Sequence, residues 1–141
     1  MKGPFAVALV AAVAVAGCGT DTCSSSPATP QDTGGGALCS VAPASTVTIY
    51  VKLCSKCYDS FPSCQAEFLT DHVEVAPVVQ QCQANAGCAI PGCNVEVPTA
   101  ACTLALPASA TASSYPLYVI GDTGSVTNTL DLGGAGTSCT L

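Results

Sequence analysis

Leu117-Tyr118-Val119-Ile120-Gly121-Asp122-Thr123-Gly124-Ser125-Val126-Thr127-Asn128-Thr129-Leu130-Asp131-Leu132 decides how the chain is read. Leu117 to Ile120 is β-branched and aromatic, as a strand requires. Gly121-Asp122-Thr123-Gly124 then supplies turn residues that tolerate unusual backbone angles. Val126, Asn128, Leu130 and Leu132 alternate with polar residues, the period of a second strand. Two strands joined by a tight turn predict a β-hairpin.

The same signals recur upstream. Val47-Thr48-Ile49-Tyr50-Val51-Lys52-Leu53 puts Val47, Ile49, Val51 and Leu53 on one face, with Thr48, Tyr50 and Lys52 on the other. Val73-Glu74-Val75 alternates, Pro77 interrupts, and Val78-Val79 resumes in the manner of an edge strand. Val95 and Val97 mark a short strand, and Thr103 to Leu106 another. Ala66 to His72 reads as a short helix, and Pro107 to Ser114 as a loop. Six or seven short strands separated by Gly/Pro turns predict an all-β, disulfide-rich antiparallel sandwich over residues 39–141. The immunoglobulin-like fold is one form this pattern fits, although the Cys–Trp–Cys signature is absent because the chain has no Trp.

Composition narrows the partners. The chain has 141 residues, enough for one domain, and its three cations are Lys2, Lys52 and Lys56. All nine acidic residues lie at or after Asp21, so the part after Gly17 has two lysines against nine acids, a net charge of −7. Two lysines cannot neutralise a row of phosphates, so no nucleic-acid partner is expected. Nor can they hold the chain to anionic lipid, so any membrane attachment must be covalent or hydrophobic.

The eleven cysteines approach the about 8–10% content of a disulfide scaffold. So many thiols suit an oxidising compartment and compensate for a core poor in aromatics. Their odd number sets one cysteine apart. With Cys18 set aside, Cys23, Cys39, Cys54, Cys57, Cys64, Cys82, Cys88, Cys93, Cys102 and Cys139 are the disulfide candidates. Ten cysteines can pair in roughly 945 ways, so spacing predicts five bridges and not their connectivity. Cys39 is the nearest partner in sequence for Cys23.

Met1-Lys2-Gly3-Pro4 is a short basic start, and Phe5 to Ala16 is an unbroken apolar run. Twelve residues fit the hydrophobic region of a signal peptide and fall short of the about 20 that span a bilayer as a helix. Val15-Ala16-Gly17-Cys18 then resembles the lipobox of bacterial lipoproteins: aliphatic, small, small, cysteine. Val15 stands where that family more often has Leu, and the resemblance covers residues 1–18 alone.

The resemblance implies that residues 1–17 are removed and that Cys18 carries a diacylglycerol and becomes the new N-terminus. Two or more acyl chains meet the requirement for stable anchoring, so the implied partner is the membrane, reached through the lipid on Cys18. Gly19, where Asp would favour inner-membrane retention in that family, implies the outer membrane. The overlapping Ala14-Val15-Ala16 offers the alternative of cleavage after Ala16 and a soluble secreted or periplasmic product. Residues 18–38, rich in Gly, Ser, Thr, Pro and Asp, read as a flexible tether averaging about 25 Å end to end.

Candidate chemistry is sparse. Cys54-Ser55-Lys56-Cys57 follows a strand, as a redox C-x-x-C would, but Phe61-Pro62 and Cys64 cut short the helix that would lower the thiol pKa. Cys54, Cys57, Cys88 and Cys93 have zinc-ribbon spacing, yet disulfides are favoured outside the cytoplasm. His72 is the one histidine, and no G-x-S-x-G accompanies it. Val119-Ile120-Gly121-Asp122-Thr123-Gly124-Ser125 resembles the aspartic protease signature, which needs a second carboxylate across a dyad. The other Asp-Thr-Gly, at Asp32, has no strand before it, so a hairpin turn is the expectation at Asp122. Glu67, Asp71 and Glu74 suggest an acidic face and match no calcium loop.

The reading is therefore a lipid-anchored cell-envelope protein without an enzyme site, cofactor or metal, acting as a binding or structural module. The alternative is an extracytoplasmic thiol-redox or metal-binding protein using Cys54 and Cys57.

Overall fold

The computed structural model describes residues 23–31, 34–43, 46–54, 59–82 and 99–141, with the backbone alone for 59–61, 81 and 82. These residues form nine strands and no helix: β1 (Cys23–Pro27), β2 (Leu38–Ser40), β3 (Thr46–Lys52), β4 (Asp59–Phe68), β5 (Val73–Cys82), β6 (Thr99–Ala105), β7 (Ser114–Gly121), β8 (Gly124–Asp131) and β9 (Ser138–Thr140). The expected strand at Val95 and Val97 lies outside the described residues.

The strands make two sheets. One runs β4, β5, β7, β8, β2, with β1 sharing an edge of β5 with β7. The other runs β6, β3, β9. The hairpin of β7 and β8 is in place, with Gly121 opposite Gly124 and Asp122-Thr123 as its two-residue loop. Apolar residues alternate inward along both sheets, and Val47, Ile49, Val51, Leu104, Leu117 and Leu130 are buried. The all-β sandwich is thus the fold that the strand patterning predicts.

The sheets are mixed, where the sequence predicts antiparallel ones. Four pairs are antiparallel, while β2/β8, β3/β9 and β5/β7 are parallel. That also departs from the two antiparallel sheets of the immunoglobulin arrangement. Parallel neighbours come from distant parts of the chain, through crossovers that turn signals do not mark.

Three local expectations are corrected. Ala66 to His72 is not a helix: β4 runs to Phe68, with Cys64, Ala66 and Phe68 packed towards the core and Gln65 and Glu67 exposed. β5 is not an edge strand, because β4 covers one edge and β7 and β1 share the other. Pro77, which has no N–H, falls in the gap between those two neighbours, where its carbonyl accepts from Ala28 N–H at 2.9 Å. The third concerns the tether. Residues 23–27 form β1, Ala28 is 1% exposed, and Pro30 bridges Leu53. Strand structure therefore already occupies Cys23–Pro27 within the stretch read as a tether, because β5 overhangs β7 and leaves a strand edge that β1 fills.

Among the described residues, two disulfides join the sheets. Cys39 of β2 bonds Cys139 of β9, and Cys64 of β4 bonds Cys102 of β6. β2 and β4 are the outermost strands of one sheet, β9 and β6 those of the other. Their Cα atoms are 5.3 and 4.8 Å apart, against about 10 Å between packed sheets. The sandwich is pinched shut along both flanks. Cys39 is therefore not the partner of Cys23, which is bonded elsewhere.

Candidate functional site

The sequence concentrates its candidate chemistry in the cysteines. Cys54, like Cys23, is disulfide-bonded and is only 4% exposed. A reactive thiolate needs partial exposure and an electropositive setting such as a helix N-terminus. Cys54 instead follows β3, with its N–H donating to the Thr29 carbonyl at 2.7 Å. Cys18, Cys57, Cys88 and Cys93 lie outside the described residues, as does the side chain of Cys82. Among the described residues, no three His, Cys, Asp or Glu side chains are grouped to hold a metal ion.

The Asp-Thr-Gly motif is a structural latch. Asp122 accepts a hydrogen bond from the Thr29 hydroxyl at 2.8 Å, and its N–H donates to the Ala28 carbonyl at 3.1 Å. The hairpin tip thereby holds the segment that carries β1 over to β3. Asp32 and Thr33 of the other Asp-Thr-Gly lie outside the described residues.

His72 sits at the β4–β5 turn, which Leu69 N–H closes onto the His72 carbonyl at 2.8 Å. Its Nδ1 is 2.6 Å from Asp71 Oδ1, and its Nε2 is 3.4 Å from Glu74 Oε1. The hydrogen bond to Asp71, aided by Glu74 and opposed by desolvation, holds the imidazole pKa above its ordinary value. The ring also meets Tyr118 edge-on, with centroids 5.3 Å apart. Glu67 stands directly opposite Glu74, so the expected acidic cluster exists as a patch at this end of the hairpin. The cluster offers carboxylates and an imidazole but no activated nucleophile.

A hollow of about 10 Å³ is lined by Pro30, Gln31, Val51, Val119, Val126, Asn128 and Leu141, room for one water molecule and far below a ligand pocket. Asn128, buried among apolar neighbours, is satisfied on one side by the Ala37 N–H, 3.0 Å from its Oδ1. This strut holds the chain before β2 against β8.

The outer face of the β6-β3-β9 sheet is rich in hydroxyl groups. Thr103, Thr48 and Ser138 form one cross-strand row, and Ala101, Tyr50 and Thr140 the next. Thr46 and Thr99 continue the hydroxyl pattern, Lys52 is the one charged side chain of these strands' outer face, and Tyr50 is 39% exposed. Such a face can exchange hydrogen bonds and stack one ring; it has no acid–base pair. The alternation in Val47–Leu53 puts Thr48, Tyr50 and Lys52 on one face, whereas the strands that extend that face come from distant parts of the chain.

With this geometry in view, comparison with known proteins adds no kinship: no family model, no curated protein and no solved structure matches the chain.

Proposed function

We propose that this chain is a lipid-anchored protein of the bacterial cell envelope, attached through Cys18, whose β sandwich serves as a non-catalytic binding or structural module. One observation carries the reading. Every cysteine whose side chain is described, Cys23, Cys39, Cys54, Cys64, Cys102 and Cys139, is in a disulfide. That oxidation state belongs to an exported chain, which agrees with an apolar leader ending in Val15-Ala16-Gly17-Cys18. The hydroxyl-rich outer sheet face and the acidic β4–β5 turn are surfaces for contact rather than chemistry, which supports a module over an enzyme. Gly19 supports delivery to the outer membrane.

The test is Cys18→Ser, expressed in a host that processes lipoproteins. Acylated mature protein is expected from the parent chain and uncleaved, unacylated precursor from the variant. A variant that is still processed and released would overturn the anchor in favour of cleavage after Ala16.

A further inference from the structure

β1 starts at Cys23, so four residues of chain, 19–22, join its first residue to Cys18. Five residue steps reach at most about 18 Å when fully extended. The register shows which end of the domain takes this short leash. Cys23 lies opposite Cys82, the last residue of β5, and Asp59 opposite Gln81. β7 pairs with β5 only through Val75, so Val78–Cys82 projects past the hairpin tip with β1 and β4 beside it. β5 is ten residues long, or about 30 Å. Its other end is the β4–β5 turn, with Asp71, His72, Glu74 and Glu67.

We propose that the β1–β4–β5 extension is the end of the domain held at the membrane surface, and that the β4–β5 turn is presented away from it. This rests on the lipid-anchored reading above. Inversion is geometrically barred, because a leash of about 18 Å cannot lift one end of a strand of about 30 Å while the other touches the headgroups. Lying flat would bring the carboxylates of Glu67, Asp71 and Glu74 down to anionic lipid, which repels them. The upright arrangement satisfies both constraints, and it makes the acidic turn with its His72–Tyr118 contact the part first met by anything approaching from outside.

Trp is absent from the chain, so a single introduced Trp reports its own position. Ser25→Trp on β1 and Thr70→Trp on the β4–β5 turn both replace exposed residues. Each is prepared as acylated full-length protein in vesicles whose headgroups carry a nitroxide quencher, after intact mass has established acylation and disulfide content. Emission from Ser25→Trp should be quenched several-fold more than that from Thr70→Trp. Equal quenching, or stronger quenching at Thr70, in acylated protein overturns the orientation alone. Absence of an acyl mass on the parent chain overturns the anchor and the orientation with it. If either variant fails to fold, Ser24→Trp and Ser113→Trp make the same comparison from the same two ends.

Discussion

A methyl group on Gly121 would collide with Pro30 Cδ, approach Pro30 Cγ to 2.9 Å and stand 3.1 Å from the Ala28 carbonyl. Gly121, which precedes the Asp-Thr-Gly of the protease-like stretch, is thus required by close packing, and the Asp122 carboxylate by the hydrogen bond it accepts from Thr29. Both residues serve the attachment of β1 to the body. Gly121→Ala should destabilise the domain by about 1–3 kcal/mol, the usual cost of overpacking. Gly136→Ala, whose added atom meets nothing nearer than 3.6 Å, is the control and should leave the urea midpoint nearly unchanged. Equal midpoints for the two variants would mean that the Ala28–Pro30 segment is not docked on the hairpin.

At the scale of the element, β4 and β5 show why local pattern is an uneven guide. Ala66 to His72 has residues that a helix tolerates, and nothing nearby marks a strand. Tertiary packing decides: Cys64 is held to β6, and Phe68 meets Tyr115 edge-on with ring centroids 4.9 Å apart. Phe61-Pro62 is absorbed by a bulge, since the register slips between Ser60 and Ser63 where Pro62 can donate no hydrogen bond. The resulting register sets Glu67 opposite Glu74 on the outer face, a like-charge pair that costs stability. Glu67→Lys should reverse this and raise stability by about 0.2–1 kcal/mol. The gain should be visible as a higher thermal midpoint at low ionic strength that shrinks with added salt. A salt-independent change, or a loss, would contradict the strand pairing.

At the scale of the whole molecule, the Cys39–Cys139 and Cys64–Cys102 disulfides stand in for what the core lacks. They close both flanks of a sandwich whose largest fully buried side chains are aliphatic, and they link positions 100 and 38 residues apart. Removing the shorter bridge as Cys64→Ser/Cys102→Ser should cost about 4 kcal/mol by loop-closure entropy, read as a lowered denaturant midpoint. A loss well under 1 kcal/mol would mean that packing between β4 and β6 closes that flank unaided. Peptide mapping without reduction should recover the Cys39–Cys139 and Cys64–Cys102 pairs.

What the sequence by itself determined is local or compositional. The alternation in Val47–Leu53 and Val126–Leu132 fixes which side chains face inward, because the strand period is two whatever the partner. The turn at Asp122-Thr123 is equally legible, since two glycines flank two polar residues. The apolar run Phe5–Ala16, the lipobox-like Val15–Cys18 and the cysteine count carry the proposal of an exported, lipidated chain without reference to any fold. The tertiary structure decided everything that depends on distant residues meeting. It paired Cys39 with Cys139 and Cys64 with Cys102, which spacing alone leaves open. It also made a strand of Cys23–Pro27, whose Ser-rich sequence has no apolar period and pairs only because β5 leaves an open edge. The parallel pairs, the role of Asp122 and the hydroxyl rows on the outer sheet have the same origin. Each is a contact across tens of residues, and neither propensity nor periodicity carries information over that range.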